Sequence, residues 1–513
     1  MYDDCGLAPV DKCAKHAAVY RVTTSQSGRS LRPIDLLALA IGAALLADLV
    51  LHLRPTNYLG GSSDEQRYLE IALQWVAHGP NAGTTHWALR HPLILAIAAS
   101  FKAFGISITS LQFVSRIAFD LLVALTAAMM GRFAGLRAAL VWTALALVMP
   151  VFHQNATNCG PEVLELLFGA ASAWAFWEAR AGGRHAAVLM ILSGACASLA
   201  LLTRETSACL LFVYLHAWLR GRTPWRGALW FAIGFLPPLV WDNLWLWSQT
   251  GQIFYRLHVD ESHTHIYSAH LQGGIYQGRV LLNPELASRW VPPGPVKLHW
   301  TIDPVLNFFA APDYGLIFVA WALLMLAKPT RPAADTLVAR AQLWLFAIAF
   351  TCYVIVTWVL TLRPQPRYYL FAVYAATIAV ALLLDAPGGK PASQRIRAAC
   401  FGLVMFCGAL VILLNPDRQI MPRLIVSWLQ RHPGMQVHFP GKEDAERMAF
   451  PAVLGGVRHQ ITAAPAPIGG LRFREIVKPS RDGQWQPVET LTGPDRFPYL
   501  SAPKAVVLER RVR

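Results

Sequence analysis

Apolar runs of about twenty residues recur along most of this chain, and each is long enough to cross the hydrocarbon core of a bilayer. The first is Ile34 to Leu53. Others lie at roughly 108–131, 137–153, 161–180, 185–203, 206–220, 227–247, 310–328, 341–361, 368–385 and 398–414. A backbone inside lipid must satisfy its own hydrogen bonds, so such spans have to be helices. Composition agrees: of 513 residues, 55% are hydrophobic and 15% charged, against about 25% charge in an ordinary soluble domain. A disordered chain, a coiled coil and an ordinary cytosolic enzyme are excluded. The formal charge is +15, but the basic residues are spread along the chain. That pattern fits basic loops beside anionic lipid and speaks against a nucleic-acid partner. The eight cysteines include no C-x-x-C pair, so neither a zinc knuckle nor a disulfide framework is implied.

Basic clusters set the sides. Arg132/Arg137, Arg180/Arg184, Arg220/Arg222/Arg226, Lys328/Arg331/Arg340 and Lys390/Arg395/Arg397 fall in alternate connections, and the N-terminal tail has the same sign. The positive-inside rule places all of them in the cytoplasm. This requires His91 to Gly105, short for a crossing at about 15 residues, to be an interfacial or re-entrant helix. The expected organisation is a cytoplasmic tail 1–33, a membrane region 34–415 with outer loops 54–107 and 248–305, and an extracytoplasmic soluble domain 416–513. In the last, Arg423–Gln430 reads as an amphipathic helix, Asp444–Phe450 as a helix, and Leu471–Val477 and Ala505–Val512 as strands. The expected fold is therefore all-α and polytopic, with about 11–13 transmembrane helices, followed by a small α/β domain.

The first outer loop carries Gly60-Gly61-Ser62-Ser63-Asp64-Glu65-Gln66-Arg67-Tyr68. Ser63 with Gln66 fits a capping box. Leu69, Ala72, Leu73 and Val76 follow at helical spacing, and Gly79-Pro80 ends the run. Asp64 thus opens an amphipathic helix, where the helix dipole favours a carboxylate, with Asp64, Arg67 and Tyr68 on one face. Asp64 and Glu65 would also be good first-turn residues with no further role. About twenty residues on comes Arg90-His91-Pro92-Leu93, opening the next apolar stretch.

An acidic pair, then R-Y, then a polar-Pro-Leu start to an apolar helix resembles the GT-C glycosyltransferases that use polyprenyl-phosphate sugars, above all the protein O-mannosyltransferase and aminoarabinose transferase group. The D-E-x-R-Y motif stands complete as Asp64, Glu65, Arg67 and Tyr68. The family's H-P-P element stands as His91-Pro92-Leu93, lacking the second proline. Pro161-Glu162 matches its acid at the outer start of a span, and Arg204 its base at the outer end of a later one. Arg367-Tyr368-Tyr369 matches its basic-Tyr start to a late span. The resemblance covers roughly residues 34–415.

Such a resemblance implies an inverting transfer to an acceptor hydroxyl on the outer face. A sugar held through phosphate already has a good leaving group. The reaction needs a carboxylate to take the hydroxyl proton and positive charge to hold the departing phosphate. By resemblance the carboxylate is Asp64, with Glu65 beside it. Arg67, Arg204 and Arg367 would hold the donor phosphate, while Tyr68, Glu162 and Tyr368 line the site. Arg204 could instead pair with Glu205 or anchor at the headgroups, and Glu162 could be a helix-start charge. Some relatives bind a divalent metal ion, for which His91 and His263 would be the matching pair. Solvated loop histidines are the plainer reading of the group His258, His263, His265 and His270. The implied partners are a polyprenyl-phosphate sugar donor, membrane lipids, and a lipid, glycan or protein acceptor. The implied location is a bacterial inner membrane, with the N-terminus cytoplasmic and the C-terminal domain periplasmic. Two other classes stay open: a transporter or flippase, and a non-catalytic subunit of envelope polysaccharide export.

Overall fold

A computed structural model of the chain describes residues 31–52, 64–180, 182–219, 225–259, 308–311, 313–327, 336–356, 366–386, 391–414, 420–439, 442–475, 484–492 and 505–513. Most of the tail 1–33, Ser63, and residues 260–305 of the 248–305 loop, His263 included, lie outside them. The protein is an integral membrane protein, mainly helical, with a small sheet near its C-terminus.

Among the described residues, six helices are long and apolar enough to cross a membrane: α1 (Pro33–His52), α4 (Ile108–Phe133), α8 (Ala186–Thr203), α10 (Trp225–Thr250), a stretch from Arg367 to Asp385, and Pro391–Leu413. A seventh is counted if α5 (Leu136–Val148) and α6 (Pro150–Thr157) form one span. They were expected as one straight run at 137–153, but the chain bends by 64° between them. Pro150 is the cause, since proline drives the residue before it out of the helical region, and Met149 is extended. Other expected spans are helices that are short or carry charge: α7 (Glu162–Arg180), α9 (Ala208–Leu219), α11 (Gly315–Leu326) and α12 (Thr336–Val354). The expected non-crossing segment is α3 (His91–Phe104), 14 residues long.

The chain forms two compact units. One comprises Met1–Leu51, Ile117–Asn155 and Pro161–Leu414; the other comprises His52–Arg116, Ala156–Gly160 and Asn415–Arg513.

In the first unit, helices approach closely where small residues allow it. A methyl on Gly194 of α8 would overlap the carbonyl of Phe231 in α10, and one on Gly234 of α10 would overlap the carbonyl of Ile191 in α8. The two glycines thus form a reciprocal backbone-to-backbone crossing. Helix α7 is fastened to α8 by a buried exchange: Ser172 Oγ donates to the Ser193 carbonyl at 2.8 Å, and Ser193 Oγ to the Ser172 carbonyl at 2.9 Å. Helix α13 (Leu370–Asp385) is buried along nearly its whole length. Its Tyr374 hydroxyl bonds Thr126 at 2.7 Å and accepts from Trp174 Nε1 at 2.9 Å. Helix α14 is Pro391–Leu414.

In the second unit, α2 (Asp64–His78) packs on α3. The C-terminal part contains α15 (Ile420–Arg431), β1 (Val437–His438), α16 (Lys442–Leu454), β2 (Ile461–Thr462), β3 (Leu471–Glu475), β4 (Trp485–Thr492) and β5 (Ala505–Arg511). The sheet order is β2-β1-β3-β5-β4. Strand β1 lies parallel to both β2 and β3, while β5 runs antiparallel to β3 and β4. Ile425, Trp428 and Leu429 of α15 join Phe473, Val506 and Leu508 in one apolar core. On the other face the buried Glu509 carboxylate accepts Arg472 and Arg474, each at 2.8 Å.

Candidate active site

Two groups of sequence-selected residues fall in different units, and each stands as described on its own. In the first unit, Pro161 precedes α7, and Glu162 and Glu165 follow one turn apart on its buried face. Helix α8 stops at Thr203, and Arg204 adopts an extended backbone (φ −166°, ψ 141°) before a 3-10 turn, Glu205–Ser207, leads into α9. That break turns the Arg204 side chain out of the helical register and into contact with α7.

Arg204 Nη1 donates to Glu162 Oε1 at 2.7 Å, and the two side chains are only 4% and 5% exposed. Arg367, in the 3-10 turn Pro366–Tyr369 ahead of α13, brings Nη1 within 3.8 Å of the same oxygen and is 30% exposed. Tyr368 completes the group: its ring centroid lies 4.6 Å from the Arg204 guanidinium carbon and 5.6 Å from that of Arg367. Two guanidiniums therefore address one carboxylate across one aromatic ring. Cations over an aromatic face are held by its quadrupole, which fixes the planes of both forks. Burial by itself would lower the Arg204 pKa, but the Glu162 carboxylate holds it above the ordinary arginine value, so the group stays a cation.

The expected alternative partner of Arg204, Glu205, is engaged elsewhere. Arg256 lies 3.7 Å from Glu205 and 3.3 Å from the buried Asp242 of α10. Sequence reasoning set Asp242 aside and did not select Arg256. No local spacing links a residue in α10 to one beyond its end. Glu165 was also missed, although its i+3 relation to Glu162 was a usable signal. It accepts the Thr206 hydroxyl at 2.6 Å.

In the second unit, Asp64 is the first residue of α2, as expected, and its Oδ1 accepts Trp87 Nε1 at 3.0 Å. Glu65 is buried. The expected common face of Asp64, Arg67 and Tyr68 is divided. Arg67 is 54% exposed and pairs with Glu70 at 3.2 Å, whereas Tyr68 is fully buried. Adjacent helical residues point about 100° apart, and the core-facing stripe takes Tyr68 with Leu69 and Ala72. Arg90 donates to the Tyr68 hydroxyl and stacks over its ring at 5.5 Å, so it links α2 to the start of α3. His91 is buried against Trp75, with ring centroids 5.6 Å apart. Among the described residues no group of three or more His, Cys, Asp or Glu side chains could hold a metal ion, and the expected partner of His91, His263, lies outside them.

Residues 90–241 match the family described as dolichyl-phosphate-mannose-protein mannosyltransferase. The chain thus carries a region that matches a glycosyltransferase family; it contains His91-Pro92-Leu93, Pro161-Glu162 and Arg204, while Asp64–Tyr68 and Arg367-Tyr368-Tyr369 lie outside it. Among solved structures it is similar to the Archaeoglobus fulgidus oligosaccharyltransferase in complex with zinc and sulfate (13% identity, TM-score 0.47, covering 82% of this chain and 62% of that one). It is also similar to AglB of the same organism in complex with an inhibitory peptide and a dolichol-phosphate (13% identity, TM-score 0.42, 83% and 64%). A third is ArnT from Cupriavidus metallidurans bound to undecaprenyl phosphate (14% identity, TM-score 0.37, 93% and 98%). The chain spans less than two thirds of the archaeal proteins. No curated protein matches it.

Proposed function

We propose that this chain moves a sugar from a polyprenyl-phosphate donor to an acceptor hydroxyl at the periplasmic face of a bacterial inner membrane, with inversion at the anomeric carbon. The observation that carries the reading is the paired address of Arg204 and Arg367 to the single Glu162 carboxylate, at broken ends of apolar helices. A phosphate brought by a lipid can replace that carboxylate oxygen for oxygen, keeping the same two forks and the same Tyr368 ring. The family match supports the donor class, since that family is described by a dolichyl-phosphate sugar.

In the reaction, the acceptor oxygen attacks the anomeric carbon and its proton passes to Asp64. The bond from that carbon to the phosphate oxygen breaks, and the lipid phosphate leaves with its charge held by Arg204 and Arg367. Trp87 fixes the orientation of the Asp64 carboxylate through Oδ1. Glu65, Arg67 and Tyr68 belong to the same helix: Glu65 and Tyr68 hold it in place from its buried side, and Arg67 offers a guanidinium at its exposed side. A divalent metal ion at His91 and His263 is an optional addition, and no step above uses it. The C-terminal domain is assigned to the periplasm with the outer loops.

Transfer from a radiolabelled polyprenyl-phosphate sugar, with the full chain in liposomes, tests the reading. Asp64→Asn is expected to lower transfer by about 10²–10⁴ with the membrane level intact, and Arg204→Ala to abolish binding of undecaprenyl phosphate. Unchanged transfer in the first removes Asp64 from the chemistry; unchanged binding in the second removes the phosphate site. Mass analysis of envelope glycolipids and glycoproteins from cells with and without the chain then names the sugar and the acceptor.

A further inference from the structure

Three consecutive residues after α8 engage three different partners. Arg204 donates to Glu162, Glu205 lies beside Arg256, and Thr206 donates to Glu165. The Arg204 backbone is extended between two helical segments, so the direction of its side chain is set by what the joint is tied to. Its backbone ties are local: the Arg204 amide donates to Ala200, and Ser207 Oγ donates to the Arg204 carbonyl. The side-chain tie to Glu162 is the one that a donor phosphate would take over. The Tyr368 ring stays and orients the guanidinium plane, but it does not hold the backbone joint from which the side chain springs. That joint needs a tie of its own to α7 that survives donor binding, and the Thr206–Glu165 bond has the required properties. Both residues are buried. The bond is 2.6 Å long, well within hydrogen-bonding range. Glu165 stands one helical turn from Glu162 on the same rigid helix.

We propose that Glu165, acting through Thr206, is a positioning residue that holds Arg204 in place when Glu162 gives way to the donor phosphate. This rests on the proposed function and adds a residue that the motif resemblance does not contain. Neither Glu165 nor Thr206 touches the reacting atoms.

The test uses the purified full-length protein with undecaprenyl phosphate as the probe, read as a dissociation constant, and the donor KM in the transfer assay. Thr206→Val removes the donor hydroxyl at near-constant volume and is expected to weaken binding and raise KM about tenfold, the usual worth of one buried hydrogen bond. Thr206→Ser keeps the hydroxyl and is expected to restore both to within about twofold on the same scale. A purely structural role would lower the amount of folded protein and leave the affinity of the folded fraction unchanged. Should Thr206→Val fail to fold because Glu165 is left buried without its donor, the double variant Glu165→Leu/Thr206→Val removes both polar partners together, a change that cores tolerate. It is expected to fold and still bind weakly. Wild-type binding by either foldable variant, alongside lost binding in Arg204→Ala, overturns the positioning role and leaves the proposed function standing. Wild-type binding by Arg204→Ala overturns both.

Discussion

Glu162→Gln separates a carboxylate that merely braces two helices from one that keeps an anion site ready. The substitution keeps shape and removes one negative charge from a pair that is 4% and 5% exposed and 2.7 Å apart. Removing one partner of a buried ion pair destabilises by about 3–5 kcal/mol, because the other charge is left uncompensated. Glutamine still offers Arg204 an amide oxygen, and Arg367 at 30% exposure recovers part of its solvation. The low end, about 3 kcal/mol, is therefore expected without ligand. An anionic lipid phosphate should then restore what the variant lost. Its affinity need rise only tenfold for the ligand to add about 1.4 kcal/mol more stability to the variant than to the wild type at saturation. Apparent thermal unfolding of the purified protein, with and without undecaprenyl phosphate, reads both effects. The expected result is a lower midpoint for the unliganded variant and a larger ligand-induced rise than in wild type. A variant whose unliganded midpoint is unchanged, or whose ligand-induced rise is smaller than wild type, refutes the view that phosphate and Glu162 occupy the same place between the two arginines.

Three further outcomes are expected. Asp64→Asn should lower the transfer rate by about 10²–10⁴, the range contributed by a positioned general base, with undecaprenyl phosphate binding unchanged; radiolabelled transfer measured beside binding checks both. Gly194→Ala inserts a methyl against the Phe231 carbonyl of a neighbouring helix and should destabilise by about 1–3 kcal/mol, seen as a lower apparent midpoint and less protein in the membrane. Glu509→Ala leaves Arg472 and Arg474 without their shared buried carboxylate and should destabilise the C-terminal sheet by about 3–5 kcal/mol, seen as faster proteolysis of that part of the chain.

The membrane helices were legible wherever an apolar window of constant length ended on charge or glycine. The expected run at 185–203 is a helix at Ala186–Thr203, and Ile34–Leu53 is one at Pro33–His52. The C-terminal strands at Leu471 and Ala505 were legible from their clustered apolar residues. Strand β4 was not, because Pro487 within Trp485–Thr492 argues against a strand. The structure accommodates that proline at an edge, beside a register shift between Pro487 and Glu489. The site residues were legible as types at helix ends but not as pairs. The sequence neighbour Glu205 and the distant Glu162 were equally available to Arg204. The choice is made by the extended backbone at 204 and by Arg256, fifty-odd residues away in the chain, lying beside Glu205. Helical periodicity likewise gave Asp64, Arg67 and Tyr68 a common face on spacing alone. The helix turns Tyr68 inward because the residues that follow it, Leu69 and Ala72, define where the core lies.

The depth at which charge gathers separates the rival classes. A secondary transporter places its ionisable groups and helix breaks near the bilayer midplane, where a solute must be held from both sides in turn. In this chain Glu162 is the first residue of its helix, Arg204 follows the last residue of Ala186–Thr203, and Arg367 lies in the turn ahead of Leu370–Asp385. Two described acids lie deeper: Asp120 near the middle of Ile108–Phe133, and Asp242, some 12 Å inside the end of Trp225–Thr250 at the helical rise of about 1.5 Å per residue. The partner of Asp242 explains its depth. Beyond the helix, Phe254 takes a left-handed backbone (φ 63°), and two residues later Arg256 reaches back to both Asp242 and Glu205. A long arginine side chain can bridge from an interface to a deeper carboxylate, so Asp242 is tied to the same end of the helices as Glu205 and Arg204. Transfer between a lipid-borne head group and a hydroxyl arriving from water needs its charges at that end, where both reactants can reach them. Carrying a solute across would need such a cluster at half depth, and the three residues that gather around Glu162 stand at helix ends instead.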